Sequence, residues 1–336
     1  MNLEPIHPDR AVELYLADRA ADVSEATLYS HRSRLGHFRR WCDDQDIENL
    51  NDLTGRRLHA YRIWRRNDGE LAKPTEKTQM DTLRVFIRWL ESIDAVEQDL
   101  HTKVLSPSLT ADENTRDTTL TSDEAEDVLE ELEKYQYASL KHVTLALLWH
   151  TMMRRGAARA LDVQDFHPSE RYLEVVHRPE SETPLKNKQR GERLVALPGQ
   201  MCDLLTDWIE NKRPDTVDEF GREPLLATEQ GRIHVGTIQH YAYLFTRPCL
   251  YSGVCPHGRD IETCEATERD RASKCPSSVS PHAIRRGSIT HALNQEMPEK
   301  AVSDRANVSK DVLEQHYDRR SEREKMEQRR RFIEML

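Results

Sequence analysis

Five residues in the second half of the chain have the side-chain types that phosphate chemistry needs: Arg154, Lys186, His282, Arg285 and Tyr317. His282 and Arg285 stand one helical turn apart in Ser280-Pro281-His282-Ala283-Ile284-Arg285, and Tyr317 follows in Leu313-Glu314-Gln315-His316-Tyr317. Two guanidinium groups, an ammonium and an imidazole could clamp one phosphodiester while a phenol attacks its phosphorus. Taken singly, each residue has a plainer reading. A His-x-x-Arg pair is usually a coincidence on a helix surface, Arg154 and Arg155 could be cations at a helix C-terminus, and a tyrosine near a chain end is usually packing. Taken together and in this order, the five favour the catalytic reading.

Elements must exist to bring these residues together. The chain of 336 residues suits roughly two domains. Residues 8 to about 103 read as all helix. Ser24-Glu25-Ala26-Thr27 opens one long segment with Leu28, Leu35, Phe38 and Trp41 facing inward, and Arg32, Arg34, Arg39 and Arg40 lie elsewhere on it. A second segment, Thr75 to Ser92, sets Leu83, Phe86, Ile87 and Leu90 against Lys77, Arg84 and Arg88. Ser106 to Thr119 is polar and aperiodic, which predicts a linker. Thr121-Ser122-Asp123-Glu124 then predicts a capping box. A helix follows from about Leu140 to Met153. Residues Tyr172 to His177 and Arg193 to Leu197 predict two short strands joined by a long hairpin loop, and from Gln200 onward the pattern is helical again.

Composition sets limits. Hydrophobic residues make up 37% and charged residues 32%, with net charge −10. An acidic sum argues against a uniformly basic nucleic-acid binder but permits a local basic stripe, and the arginine-bearing helices stand out against it. No stretch has the apolar length to span a bilayer and the first residues do not form a signal peptide, so a cytoplasmic protein is expected. Six cysteines in that compartment predict thiols or metal ligands rather than disulfides. Cys249, Cys255, His257, Cys264 and Cys275 crowd one short segment. Cys255, His257, Cys264 and Cys275 form the preferred structural zinc set, with Cys249 able to replace His257.

Along its whole length the chain resembles the tyrosine recombinase, or phage integrase, family. Thr151-Met152-Met153-Arg154 with Ala160-Leu161-Asp162-Val163-Gln164-Asp165-Phe166 is similar to the family's first arginine box, with Arg155 as a neighbouring register. Ala157 stands where the family usually has an acid. Thr183-Pro184-Leu185-Lys186-Asn187-Lys188 resembles the lysine hairpin, Lys186 being preferred over Lys188. His282-Ala283-Ile284-Arg285 with His291 resembles the histidine–arginine box, and Tyr317 stands at the nucleophile's place. Val308 occupies a position that is commonly His or Trp, which leaves the preceding Asn307 as a possible phosphate contact.

The resemblance implies a mainly α fold with a small β-sheet (α+β). It further implies a helical, SAM-like core-binding domain over residues 1–105, a linker over 106–119 and a catalytic domain over 120–336 that carries the cysteine insertion 249–275. It implies a site-specific DNA recombinase with a 3′-phosphotyrosine intermediate. The arginines would hold non-bridging oxygens, His282 would move a proton or hold an oxygen, and Lys186 would protonate the departing 5′-oxygen. No cofactor is expected for catalysis. The expected partners are double-stranded DNA, met by Arg32, Arg39, Arg40, Lys77 and Arg84, and further copies of the chain, from dimer to tetramer on DNA. A C-terminal plug of Phe332, Ile333 and Leu336 would dock on a neighbouring protomer or at home. Two other readings compete: a DNA-binding regulator on a weakened scaffold, favoured by Val308 and Ala157, and a monomeric DNA-relaxing enzyme.

Overall fold

A computed structural model describes residues 3–110 and 118–317, with Arg323, Met326, Glu327 and Arg330 beyond them. The expectations for the middle of the linker and for the plug at Phe332, Ile333 and Leu336 lie outside the described residues. The chain divides into two compact units, Met1–Arg116 and Asp117–Leu336. It is mostly helical with small antiparallel sheets, as the sequence suggested.

In the first unit, α1 (Pro8–Arg19), α2 (Glu25–Asp44), α3 (Gly55–Asp68) and α4 (Lys73–Ser92) enclose one core. Local chemistry sets their starts: Ser24 and Thr54 each accept a hydrogen bond from a backbone N–H in the first turn of the helix they open. Helical periodicity then puts Leu83, Phe86, Ile87 and Leu90 on the buried face of α4. Aromatic edges fill the centre, Phe38 against Tyr61 at 5.3 Å and Tyr15 against Phe86 at 5.2 Å between ring centres.

The second unit opens with α5 (Ser122–Gln136), where the Thr121–Glu124 capping box forms in full. Next, α6 (Leu140–Thr151) is buried from Val143 to Trp149, and α7 (Arg155–Ala160) follows after a left-handed Met152. The strands β1 (Phe166–His167), β2 (Tyr172–Val175) and β3 (Arg193–Ala196) form an antiparallel sheet in sequence order, with Leu173 opposite Val195. The β2–β3 connection is the long hairpin read from the sequence. After α8 (Gly199–Asp207), β4 (Ala227–Thr228) and β5 (Gly231–Arg232) make a second small hairpin. Helices α9 (Val235–Phe245), α10 (Pro248–Tyr251), α11 (Pro281–Asn294), α12 (Glu299–Ala306) and α13 (Lys310–His316) complete the unit.

Helix α11 lies so close to the start of the unit that a Cβ on Gly287 would stand 1.8 Å from the Leu120 carbonyl oxygen. Glycine is required there by space rather than by backbone angle. Among the described residues, no helix is long and apolar enough to cross a membrane.

Candidate active site

Helix α11 carries two of the five residues. Ser280 caps it by accepting from the Ala283 N–H, and Pro281 sits in the first turn, where it lacks only a donor that would have no helical partner. His282 therefore stands at the open end of the helix and Arg285 one turn inward, 1% exposed. The left-handed Met152 turns the chain after α6 so that Arg154 begins α7. The two adjacent arginines diverge: Arg154 is half-buried and directed to the turn after α12, whereas Arg155 is exposed and hydrogen-bonds Gln239 on α9.

Three arginines meet on three successive carbonyls at the C-terminal end of α12. Arg193 Nε donates to Arg305 O at 2.8 Å, Arg285 Nη2 to Ala306 O at 2.7 Å and Arg154 Nη1 to Asn307 O at 3.0 Å. The last carbonyls of a helix have no intrahelical donor and carry its negative pole. That pole offsets the repulsion of placing guanidinium groups side by side. The repulsion is still felt: burial first, then Arg154, lowers Arg285 to about 10, and burial with Arg285, Arg154 and Arg305 lowers Arg193 to about 10. Both remain charged at neutral pH. Arg285 also donates to the Met152 carbonyl, while its buried Nε has no hydrogen-bond partner.

Tyr317 ends α13 and is 4% exposed, packed with Met152, Ile289, Leu293, Val302, Val308 and Leu313. Its carbonyl accepts from Thr290 Oγ1 at 3.0 Å, and its ring meets that of His282 edge-on at 6.3 Å between centres, beside the Arg285 charge. His282 keeps one side open to solvent. Desolvation of the other, then Arg286, Arg285, Arg154 and Lys186, lower it to about 4, so it is neutral at physiological pH. Lys186 thus belongs to the same charged neighbourhood, on the exposed side of the β2–β3 hairpin.

The hairpin is pinned at its base by an ion network the sequence reading did not anticipate. Buried Asp162 pairs with Arg222 at 2.7 Å, Arg232 at 2.5 Å and Arg178 at 3.4 Å, and Arg178 also pairs with Asp165 at 2.5 Å. Arg222 Nη1 then donates to Ser181 Oγ at 2.9 Å and Thr183 Oγ1 at 2.8 Å. The only sequence signal was the Asp162–Asp165 spacing, which forms a capping box. Arg193 and Arg305 were also missed. Arg193 opens a strand, where a lone arginine has no periodic signature.

The structure gives three of the positions singled out in the sequence specific partners. Val308 is 8% exposed and packs with Tyr317, so it is part of that residue's core. Asn307, expected as a phosphate contact, spends both ends of its amide on the hairpin instead. The acid absent at Ala157 leaves Arg154 held by a backbone carbonyl.

The zinc expectation is unsupported. Among the described residues, no three His, Cys, Asp or Glu side chains converge as a metal site. His257 Nε2 is hydrogen-bonded to Ser277 Oγ at 2.9 Å. Cys275 is buried, while Cys255 and Cys264 are half-buried, and all are free thiols. The segment around them is held instead by Arg247 donating to Ala266 O and by Ser278 Oγ donating to Ala272 O and Cys275 O.

Of the five residues expected to face DNA, four have partners within the first unit. Arg39 pairs with Asp9, Arg40 with Asp68, Lys77 with Asp81 at 2.7 Å, and Arg84 with the Val104 carbonyl, Ser106 and Asp81. Arg32 is exposed on α2.

Residues 118–323 match the phage integrase family, more than half of the chain, and the chain belongs to that family. Its fold is similar to the integrase of the Tn1549 transposon solved with transposon right end DNA (TM-score 0.67, 13% identity, 98% of this chain and 100% of that one). It is also similar to a lambda integrase tetramer bound to a Holliday junction (TM-score 0.64, 16% identity, 95% and 80%). The N-terminal domain of a phage integrase/site-specific recombinase from Haloarcula marismortui is 36% identical over 31% of this chain and 99% of its own, at a TM-score of 0.30. No curated protein matches the chain significantly.

Proposed function

We propose that this chain is a site-specific DNA recombinase that cuts and rejoins double-stranded DNA through a 3′-phosphotyrosine on Tyr317, integrating or excising a mobile element or resolving circular DNA. The observation that supports the reading is one charged neighbourhood in which Arg154, Arg285 and Lys186 act on His282, whose ring lies edge-on to that of Tyr317. In this reading the Tyr317 oxygen bonds to phosphorus as the P–O5′ bond breaks. Arg154 and Arg285 neutralise the charge that builds on the non-bridging oxygens. The unpartnered Nε of Arg285 is a donor left over for such an oxygen. Neutral His282 accepts the phenol's proton or holds an oxygen, and Lys186 gives its proton to the departing 5′-oxygen. Attack by a 5′-hydroxyl of another strand reverses the step without ATP, because the phosphotyrosine retains a phosphodiester.

Tyr317 and Arg285 are covered as they stand, so engagement of DNA requires α13 to shift and uncover them. The assembly proposed is a dimer to tetramer of this chain on DNA, supported by the family and by the tetramer that lambda integrase forms on a Holliday junction.

Tyr317→Phe tests the nucleophile. With a nicked suicide DNA duplex, the parent protein is expected to give a covalent adduct that survives denaturing electrophoresis, and the Phe variant none, with DNA binding retained. An adduct formed by the Phe variant refutes the assignment. A parent that binds DNA but forms no adduct supports the reading as a DNA-binding regulator.

A further inference from the structure

Asn307 joins three parts of the site. It caps α12 in the left-handed region, with φ 51°, where asparagine is among the few side-chain-bearing residues tolerated. Its carbonyl takes Arg154 Nη1 at 3.0 Å. Its Oδ1 accepts from Asn187 Nδ2 at 2.6 Å, and its Nδ2 donates to Arg190 O at 2.8 Å. The orientation of the amide is not ambiguous: a carbonyl can only accept, so Nδ2 must face Arg190, which leaves Oδ1 for the Asn187 amide. The two hairpin contacts lie on either side of its tip, and Asn187 directly follows Lys186. The base of the hairpin is held separately, by Arg222 on Ser181 and Thr183. On one side of Lys186, Leu185 is buried and donates its N–H to His177 Nδ1 at 2.9 Å; on the other, the contacts described are those of the Asn307 amide.

We propose that Asn307 is a positioning residue for Lys186: its side-chain amide latches the hairpin tip to the C-terminal end of α12, and so fixes the lysine beside the arginine pair. This rests on the reading of Lys186 as the proton donor to the leaving 5′-oxygen. The latch is structural, so it is testable apart from that reading. A left-handed glycine keeps the backbone and removes only the amide, which makes Asn307→Gly the cleanest variant. Asn187→Ala removes one latch contact from the other side.

The experiment compares covalent adduct formation on two DNA duplexes, one with the ordinary scissile phosphodiester and one with sulfur at the 5′-bridging position. A thiolate leaves without a proton, so only the oxygen substrate needs the lysine. Lys186→Ala serves as control and is expected to lose about 10²–10⁴-fold on oxygen and to recover on sulfur. Asn307→Gly is expected to lose up to about 10²-fold on oxygen, the scale of a misplaced catalytic group, and also to recover on sulfur. Asn187→Ala should follow the same pattern more weakly. Amide hydrogen exchange across residues 185–192 should accelerate in Asn307→Gly, with α11 unchanged. If sulfur rescues Lys186→Ala but not Asn307→Gly, or if Asn307→Gly cuts both substrates at the parent rate, the latch is overturned. If hairpin exchange accelerates but sulfur rescues neither variant, the latch stands and the proton-donor reading of Lys186 falls.

Discussion

At the scale of residues, the site balances charge against burial. Arg285 is almost wholly enclosed, and burial with the neighbouring Arg154 charge lowers it to about 10, so it remains a cation that donates to the carbonyls of Met152 and Ala306. Removing it takes out a fixed donor aimed at developing charge. Arg285→Ala is expected to slow adduct formation by about 10²–10³-fold, measured on the suicide duplex at saturating protein. His282 makes the complementary case. Its value of about 4 predicts a neutral imidazole in the free protein throughout pH 5–8. The unfolded chain binds that proton below about 6.5 and the folded chain does not until about 4. His282 therefore lowers stability as pH falls through that window, and has no effect above it. A ring-proton titration by NMR checks this: a midpoint at or above 6.5 in the free protein contradicts the partial desolvation and the cationic surroundings of His282. The Coulombic sign also requires that an anion seated among the arginines raise that midpoint.

Among elements, the C-terminal end of α12 organises the site. Its carbonyls are the common target of Arg154, Arg193 and Arg285, which come from three different parts of the chain. The placement of α11 matters equally, because it carries both His282 and Arg285. That placement depends on Gly287 lying against the Leu120 carbonyl. Gly287→Ala sets helix propensity, which favours alanine by about 1 kcal/mol, against a backbone clash that must be relieved by moving α11. Such overpacking typically costs about 1–3 kcal/mol. The variant is expected to unfold at lower denaturant concentration, and to lose adduct formation by more than its loss of stability explains. The helices, the capping box at Thr121 and the hairpin were legible from the sequence, because Ser24, Thr121 and the period of α4 act on near neighbours. The arginine-to-carbonyl contacts were not, since a backbone oxygen leaves no mark on sequence.

At the scale of the molecule, a net charge of −10 must coexist with the proposed binding of a polyanion. Pairing with acids leaves fewer free cations for that task, as Arg39, Arg40, Lys77 and Arg84 each have an acidic partner within the first unit. Arg84 in particular ties α4 to Val104 and Ser106. Binding is expected to weaken as salt rises, with a log–log slope near −0.9 for each phosphate neutralised. Arg32→Ala should reduce the magnitude of that slope by about 1. Arg84→Ala should lower the thermal midpoint and leave the slope unchanged. Fluorescence anisotropy across a salt series separates the two outcomes, and equal slopes for Arg32→Ala and the parent would remove Arg32 from the interface.

The sequence by itself determined the resemblance to the family and the mainly helical fold with its small sheet. The elements depend on local periodicity, capping and spacing, which the order of residues expresses directly, and the motifs that carry the resemblance, including His282, Arg285 and Tyr317, are contiguous or ordered along the chain. Only the tertiary structure showed that Arg154 and Arg155 point to different partners, that Val308 lies in the core around Tyr317, that Asn307 faces the hairpin and that the cysteines share no common metal position. Each of those outcomes depends on which distant backbone or side chain a group meets, and such meetings are fixed by packing in three dimensions.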